Sequence, residues 1–210
     1  MFWYQYLSLI CLLICLTACF WHFFRLIRLG KPKDLSKSSG NVLKAEVYSY
    51  TGAMMPNKKE SAYLHLPTFS LGIFFHIGTF LGLLLFILSF FFIPEEIPYW
   101  LTIALSVILL LGAVSGLSLL IKRIVLKKMR ELSNFDDYLS NFFTTTFQVA
   151  SLIYLIIGHN FAMPYYILSS LLLLYLPVGK LRHVIYFFAA RYQLGFFYGW
   201  RNSWPPQKAS

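Results

Sequence analysis

The stretch KESAYLHLPTFSLGIFFHIGTFLGLLLFILSFFFI, residues 59–93, carries two histidines inside one long apolar segment. It is long enough to span a bilayer, which takes roughly 20 apolar residues in a helix. His65 and His76 are eleven residues apart, so in an α-helix they leave the same face, about 20° apart and separated axially by roughly 16 Å. Because an imidazole without a partner is costly in lipid, intramembrane histidines are candidates for function. The stacked pair predicts metal-centred cofactors: either two at two depths, or one with the second histidine unused.

The composition of the whole chain is typical of a membrane protein. Of the 210 residues, 58% are hydrophobic and only 12% are charged, and that charged fraction is about half that of ordinary globular domains. Five stretches are long enough to span a bilayer, at about 2–24, 66–93, 99–121, 140–158 and 164–189. We therefore expect an all-α integral membrane protein, with residues 1–210 forming a single membrane domain built as a five-transmembrane-helix bundle.

The distribution of positive charge predicts the topology of that bundle. All 18 Lys and Arg residues fall in three groups, at residues 25–59, 122–130 and 180–208, whereas the alternate connections PEEIPY and GHNFAMP contain none. By the positive-inside rule, the N-terminus lies outside and the C-terminus lies in the cytoplasm. The topology explains the net charge of +10. The positive charge therefore gives no reason to expect nucleic-acid binding. The basic cytoplasmic face could also dock an acidic partner or anionic lipid.

Other segments carry local structural signals. Small residues in the third predicted helix favour close helix contact: Gly112, Ala113, Ser115 and Gly116. In SNFDDYLSNFF, residues 133–143, Ser133 or Asn134 is a helix-cap candidate, and the two aspartates that follow suit a helix N-terminus. The stretch NVLKAEVYSYTGAMM, residues 41–55, is weakly amphipathic and predicts a surface helix. The aromatic, basic tail at 191–207 either packs on a partner or anchors at the membrane interface.

One pair of histidines has the arrangement of haem ligands. His183 lies at the inner end of the fifth predicted helix, at a depth similar to that of His65 on an oppositely running helix. Two such nitrogens can hold one haem iron between bundle helices. The chain has no CxxCH, so the haem would be b-type and non-covalent. Nearby basic residues could bind the haem propionates: Lys58, Lys59, Lys180 and Arg182. Alternatively, both histidines are interfacial residues bonded to lipid or backbone.

The remaining histidines give a weaker pattern. His76 is deeper and needs a partner toward the outside, where His159 lies in or beside the turn after the fourth predicted helix. Spacing supports no zinc site, phosphate-binding glycine loop or Ser/His/Asp grouping. No acid, Lys or Arg falls in mid-membrane, which disfavours a small transporter.

Three stretches carry a resemblance to a known family, and they are MMPNKKESAYLHLPTFSLGIFFHIGTF (54–80), SNFDDYLSNFF (133–143) and YLPVGKLRHVIYFFAARYQLGFFYGWRNSWPP (175–206). In them the chain resembles the gamma subunit of respiratory nitrate reductase and its relatives. It looks closest to the sulfur-metabolism branch: cytochrome b subunits paired with heterodisulfide-reductase-like iron–sulfur proteins in sulfite-reduction and high-molecular-weight cytochrome complexes. The family fold is five transmembrane helices with the N-terminus outside, in agreement with the charge pattern.

The resemblance implies two b haems stacked across the membrane, with ligands from the second and fifth helices. Carried over, His65 and His183 would bind the haem nearer the cytoplasm, and His76 would serve the outer haem. The family's second ligand on the fifth helix falls at Tyr165 in this chain, 18 residues before His183. The outer haem is then absent, held by His159 through a bent segment, or ligated in another way.

The resemblance also implies a function. The chain would be a haem b subunit of an anaerobic respiratory complex in the prokaryotic inner (cytoplasmic) membrane. It would transfer electrons between a membrane quinone, such as menaquinone, and an iron–sulfur subunit of the heterodisulfide-reductase-like type on the cytoplasmic face. A multihaem cytochrome and other membrane subunits are further expected partners. Such a chain is an electron-transfer subunit rather than an enzyme alone. The alternative is a membrane anchor or scaffold of such a complex, with reduced or no haem content.

Overall fold

The computed structural model describes residues 1–29, 35–58 and 64–206. Over these residues the chain is helical and contains no β-strand. The α-helices are α1 (Trp3–Leu29), α2 (Val42–Tyr50), α3 (Leu66–Leu88), α4 (Tyr99–Val125), α5 (Lys127–Glu131), α6 (Phe135–Ile157), α7 (Ala162–Tyr175) and α8 (His183–Trp200). Within the described residues, four segments are long and apolar enough to cross a membrane: α1, α3, α4 and the region Phe135–Tyr175, which comprises α6 and α7. The prediction of an all-α, multi-pass membrane protein is confirmed at this level.

The fifth predicted helix, residues 164–189, differs most from expectation. Helix α7 ends at Tyr175, a turn and a short 3-10 helix at Lys180–Arg182 follow, and α8 begins at His183. Pro177 explains the interruption, because it has no N–H to donate and its ring clashes with the carbonyl four residues earlier. Gly179 closes the turn by donating its N–H to the Tyr175 carbonyl at 2.8 Å. The prediction of one continuous helix over 164–189 is therefore wrong, because the helix is broken between Tyr175 and His183.

The chain divides into two compact units. The bundle unit consists of Met1–Cys15 and Leu66–Leu181, and the α2–α8 unit consists of Leu16–His65 and Arg182–Ser210. Helix α1 contributes its first half to the bundle unit and its second half to the α2–α8 unit. The assignment of residues 1–210 to a single membrane domain stays a prediction.

Small residues bring α3, α4 and α6 together in the bundle unit. A Cβ placed on Gly112 would lie 2.8 Å from the Gly78 Cα, so these two helices touch backbone to backbone. Gln148 of α6 reaches the same crossing, where its Nε2 donates to the Phe75 carbonyl at 2.9 Å and to Thr79 Oγ1 at 2.6 Å. Close glycine contacts with interhelical hydrogen bonds are a common means of packing in membranes. The predicted contact role of the small residues in α4 is confirmed, since all four are buried.

The α2–α8 unit also packs through glycines. On α8, Gly195 and Gly199 lie one turn apart and face α2. A Cβ on Gly195 would lie 2.5 Å from the Glu46 Cα, and a Cβ on Gly199 would lie 2.7 Å from the Ala45 Cβ. The predicted amphipathic surface segment is therefore a helix over Val42–Tyr50, and one of its faces is covered by α8.

Candidate functional site

His76 has a defined tautomer on the exposed face of α3. Its Nδ1 lies 2.7 Å from the carbonyl oxygen of Gly72. A carbonyl oxygen can only accept, so Nδ1 carries the proton and the lone pair of the neutral ring is on Nε2. Histidines that ligate metals are held in this way, with one ring nitrogen donating to a backbone carbonyl. His76 thus has the tautomer common among metal-ligating histidines.

The helix surface next to His76 is apolar and has open space at Gly72. Gly72 lies one turn earlier, and a Cβ placed there would meet no neighbouring atom of the described residues within 4 Å. One turn later, the Phe80 ring centroid lies 6.3 Å from that of His76. Ile73 and Ile77 are exposed on either side. A strip of this kind can receive a planar aromatic group such as a porphyrin.

His65 and His183 both belong to the α2–α8 unit, and each stands at the start of a helix. His65 immediately precedes α3, His183 is the first residue of α8, and both are exposed. The break after α7 places His183 on a different helix from Tyr165, contrary to the expected arrangement. That these two histidines bind one iron stays a prediction.

The four basic residues predicted to bind propionates fall in different surroundings. The ammonium group of Lys180 binds Asp137. The guanidinium of Arg182 lies 5.8 Å from the centroid of the Tyr186 ring. Lys58 is exposed at the end of a short 3-10 helix, and Lys59 lies outside the described residues. Lys180 therefore already has a carboxylate partner in the bundle unit.

A buried carboxylate joins the helix ends on the Lys180 side of the bundle unit. The Asp137 side chain is only 4% exposed, and its Oδ1 lies 3.0 Å from Arg123 Nη1 and also binds Lys180. Asp137 and Asn134 form a reciprocal capping box, with hydrogen bonds of 3.0 and 3.1 Å. One carboxylate thus links the end of α4, the start of α6 and the turn after α7. The sequence identified the cap but not the ion cluster.

His159 lies far from His76 along the bundle. Its backbone N–H donates to Glu95 Oε1 at 2.7 Å, and its ring centroid lies 5.3 Å from that of Phe2. Glu95 belongs to the short 3-10 helix that follows α3, whereas His76 precedes the end of α3 by twelve residues, or about 18 Å of helix. The two axial ligands of one iron lie much closer than this. The structure does not bring His76 and His159 together.

The Glu95 contact predicts a pH-dependent outer turn. The hydrogen bond from the His159 backbone lowers the pKa of Glu95 below its ordinary value of 4.5. A lowered folded-state pKa means that this stabilisation is present above the unfolded value and is lost as the pH falls through the folded value. We expect the protection factor of the His159 amide, measured by hydrogen exchange, to drop in acid below the ordinary pKa. Glu95→Gln should abolish this pH dependence, whereas the exposed neighbour Glu96→Gln should keep it. A pH-independent wild-type protection factor would refute the assignment.

Tyr165 occupies the position where the resembled family has a histidine. It is fully buried, and its ring stacks on that of Tyr154 at 4.3 Å between centroids and 8° between planes. Phe86 packs edge-on at 6.2 Å and Phe147 lies parallel at 6.4 Å. Aromatic side chains fill this part of the core, so residue 165 does not fit the role of a ligand to an outer haem.

An apolar cavity of about 270 Å³ lies on the Glu95 side of the bundle unit, between α3, α4 and α6. Its lining includes Leu85, Leu88, Phe92, Leu101, Tyr154 and Leu155, and Glu96 is the only charged residue among the described lining residues. The volume is slightly below the roughly 300–1,000 Å³ of pockets for drug-sized ligands. The cavity suits a single apolar ring or chain and is too small for a haem.

Known proteins do not identify the site. Among the described residues, no group of three or more His, Cys, Asp or Glu side chains is placed to hold a metal ion. No protein-family model, no curated protein and no solved structure matches this chain.

Proposed function

We propose that this chain is a haem b subunit of an anaerobic respiratory complex in a prokaryotic inner membrane. Its N-terminus lies outside and its basic loops face the cytoplasm. The chain relays electrons between the membrane quinone pool and a heterodisulfide-reductase-like iron–sulfur subunit on that face. Haem supplies the one-electron chemistry when bound, and the chain supplies ligand nitrogens, position and surrounding charge.

The observation that carries this proposal is the geometry of His76. Its Nδ1 donates to the Gly72 carbonyl, 2.7 Å away, and we assign Nε2 as the nitrogen that binds the iron. A polar ring is costly in lipid, so an imidazole held this way in a membrane-spanning helix is a candidate for function. The open space at Gly72 gives a planar cofactor room to approach.

The inner haem would use His65 and His183. Support comes from their placement, since both are exposed residues of the α2–α8 unit and each stands at the start of a helix. Arg182, adjacent in sequence, is exposed and could pair with a propionate. The apolar cavity near Tyr154 offers a quinone ring a place to enter from the lipid.

A scaffold function is the second candidate, and the core around Tyr165 favours it. The stacked rings of Tyr165 and Tyr154 occupy the position where the resembled family has its second ligand on the fifth helix. A chain that has lost one haem site could have lost both and remain as the membrane anchor of the same complex.

Haem content separates the two candidates. We expect the chain, purified after expression with excess haem precursor, to contain haem b by the pyridine haemochrome assay. His76→Ala and His183→Ala should each lower that content, and the double variant should lose both contributions if the sites are separate. His159→Ala is the matched control, since His159 lies at the Glu95 turn, and it should leave the content unchanged. Wild-type content preserved in both His76→Ala and His183→Ala would contradict the ligand assignment.

A further inference from the structure

The second half of α1 has an exposed face on which apolar side chains give way to arginines. A groove of about 430 Å³ runs along this face, lined by Thr17, Trp21, Phe24, Arg25, Arg28 and Leu29. The spacing of these residues places them on one side of the helix, over an axial length of about 18 Å. Trp21 is 70% exposed and Phe24 is 56% exposed, so the groove is open to its surroundings.

The groove has the dimensions and polarity of one bilayer leaflet. One leaflet with its headgroups is about 20–22 Å thick, close to the length of the groove. Its apolar end lies within the membrane-spanning helix, and its arginines occupy the last two turns of that helix. Tryptophan side chains favour the boundary between hydrocarbon and headgroups, and Trp21 lies one helical turn before Arg25 in the groove.

The arginines of the groove have no acidic partner among the described residues. The ion pairs found in residues 1–29, 35–58 and 64–206 involve other side chains. Arg25 and Arg28 are three positions apart, so their side chains are neighbours on the helix surface. Two adjacent guanidinium groups can share one phosphate through charge-assisted hydrogen bonds.

Helix α8 lies at the same level and adds a basic, aromatic surface. Gln193 Nε2 donates to the Ile27 carbonyl at 3.1 Å, which fixes the middle of α8 against the last turn of α1. Three arginines of this region lie over aromatic rings one turn away, in the pairs Arg182–Tyr186, Arg191–Phe187 and Arg201–Phe197. A helix with arginines and exposed aromatic rings on its free face is typical of the membrane interface. The headgroup layer therefore lies at the arginine end of the groove.

We propose that the groove binds an anionic phospholipid, with its phosphate between Arg25 and Arg28 and an acyl chain along Trp21 and Phe24. An acidic protein surface would match the arginines but not the apolar half of the groove, which lies at hydrocarbon depth. The proposal does not depend on haem and would stand if the chain contained none.

The test compares two lipids on the full-length chain. Delipidated protein in dodecyl maltoside is titrated with dioleoyl phosphatidylglycerol or dioleoyl phosphatidylcholine, and bound lipid is counted by native mass spectrometry. We expect the wild-type chain to prefer the anionic lipid by about thirty-fold, the contribution of two arginines near a lipid surface. Equal binding of the two lipids would overturn the proposal without the need for any variant.

Paired variants then locate the preference. Arg25→Gln/Arg28→Gln should remove it, whereas Lys127→Gln/Lys128→Gln removes the same charge from an exposed pair on α5 and should retain it. If both variants lost the preference for phosphatidylglycerol to the same extent, the lipid would be attracted to any basic surface, and the groove assignment would be overturned. An acidic peptide, poly-glutamate, serves as the competing class of partner. If the arginine variant loses only peptide binding and keeps its preference for phosphatidylglycerol, the face belongs to a protein partner and the lipid proposal fails.

Discussion

Replacing Asp137 with alanine should destabilise the bundle unit by about 3 kcal/mol, since removal of one partner from a buried ion pair costs roughly 3–5 kcal/mol. The lower end of that range applies because the Arg123 and Lys180 side chains are 28% and 53% exposed and regain some hydration. The same substitution removes one half of the capping box with Asn134. Three helix ends would lose their common anchor.

The free energy of unfolding, measured by titrating dodecyl maltoside micelles with SDS, tests this expectation. Asp137→Asn should fall between wild type and Asp137→Ala, because an amide oxygen can still accept a hydrogen bond from the Asn134 backbone but carries no charge. Glu131→Ala breaks the exposed pair with Lys127, whose charged atoms lie 3.9 Å apart, and should change stability by less than about 0.5 kcal/mol. If Asp137→Ala lowered the free energy of unfolding no more than Glu131→Ala, the ion cluster around Asp137 would not anchor the helices.

Gly112→Leu should destabilise the bundle unit at least as much as Asp137→Ala. We expect the free energy of unfolding to fall by about 3 kcal/mol, at the upper end of the range for overpacked cores. A Cβ at this position would lie 2.7 Å from Gln148 Oε1 and 2.8 Å from the Gly78 Cα. The latter is a backbone atom, so the clash cannot be relieved by a side-chain rotation. Helices α3 and α4 would have to separate, and the hydrogen bonds of Gln148 to Phe75 and Thr79 would be lost with them.

The matched control is Ala104→Leu, which enlarges an exposed residue on the same helix. Surface changes of this kind usually alter stability by less than about 0.5 kcal/mol. The thermal midpoint of the folded monomer, followed by size-exclusion chromatography after heating, should drop sharply for Gly112→Leu and stay near wild type for Ala104→Leu. Equal midpoints for the two variants would contradict the close contact of α3 and α4.

Patterns local in sequence predicted the fold well. The apolar runs correspond to α1, α3, α4 and the α6–α7 region, with most ends within five residues of expectation. The small residues of α4 and the cap at Asn134 were also correct, because each depends on neighbours within a few turns. The break after α7 was missed because a proline in an apolar helix can kink it or end it. In this chain the helix ends rather than kinks, because Gly179 closes a turn with Tyr175.

Contacts between distant parts of the chain could not be read from the sequence. Lys180 looked like a propionate ligand, yet it binds Asp137, 43 residues earlier. His159 looked like a partner for His76, yet its backbone is held by Glu95 at the end of the bundle. The bond from His76 to the Gly72 carbonyl spans only four residues, but any residue at that position offers a carbonyl, so the sequence carries no signal for it.

The most direct test of the proposed haem function is a reduced-minus-oxidised absorption spectrum of the purified chain. We predict the bands of a b-type haem, reduced in intensity in His76→Ala and unchanged in His159→Ala. A well-folded, haem-supplemented wild-type chain without b-type bands would contradict the haem function and leave the chain as a membrane scaffold.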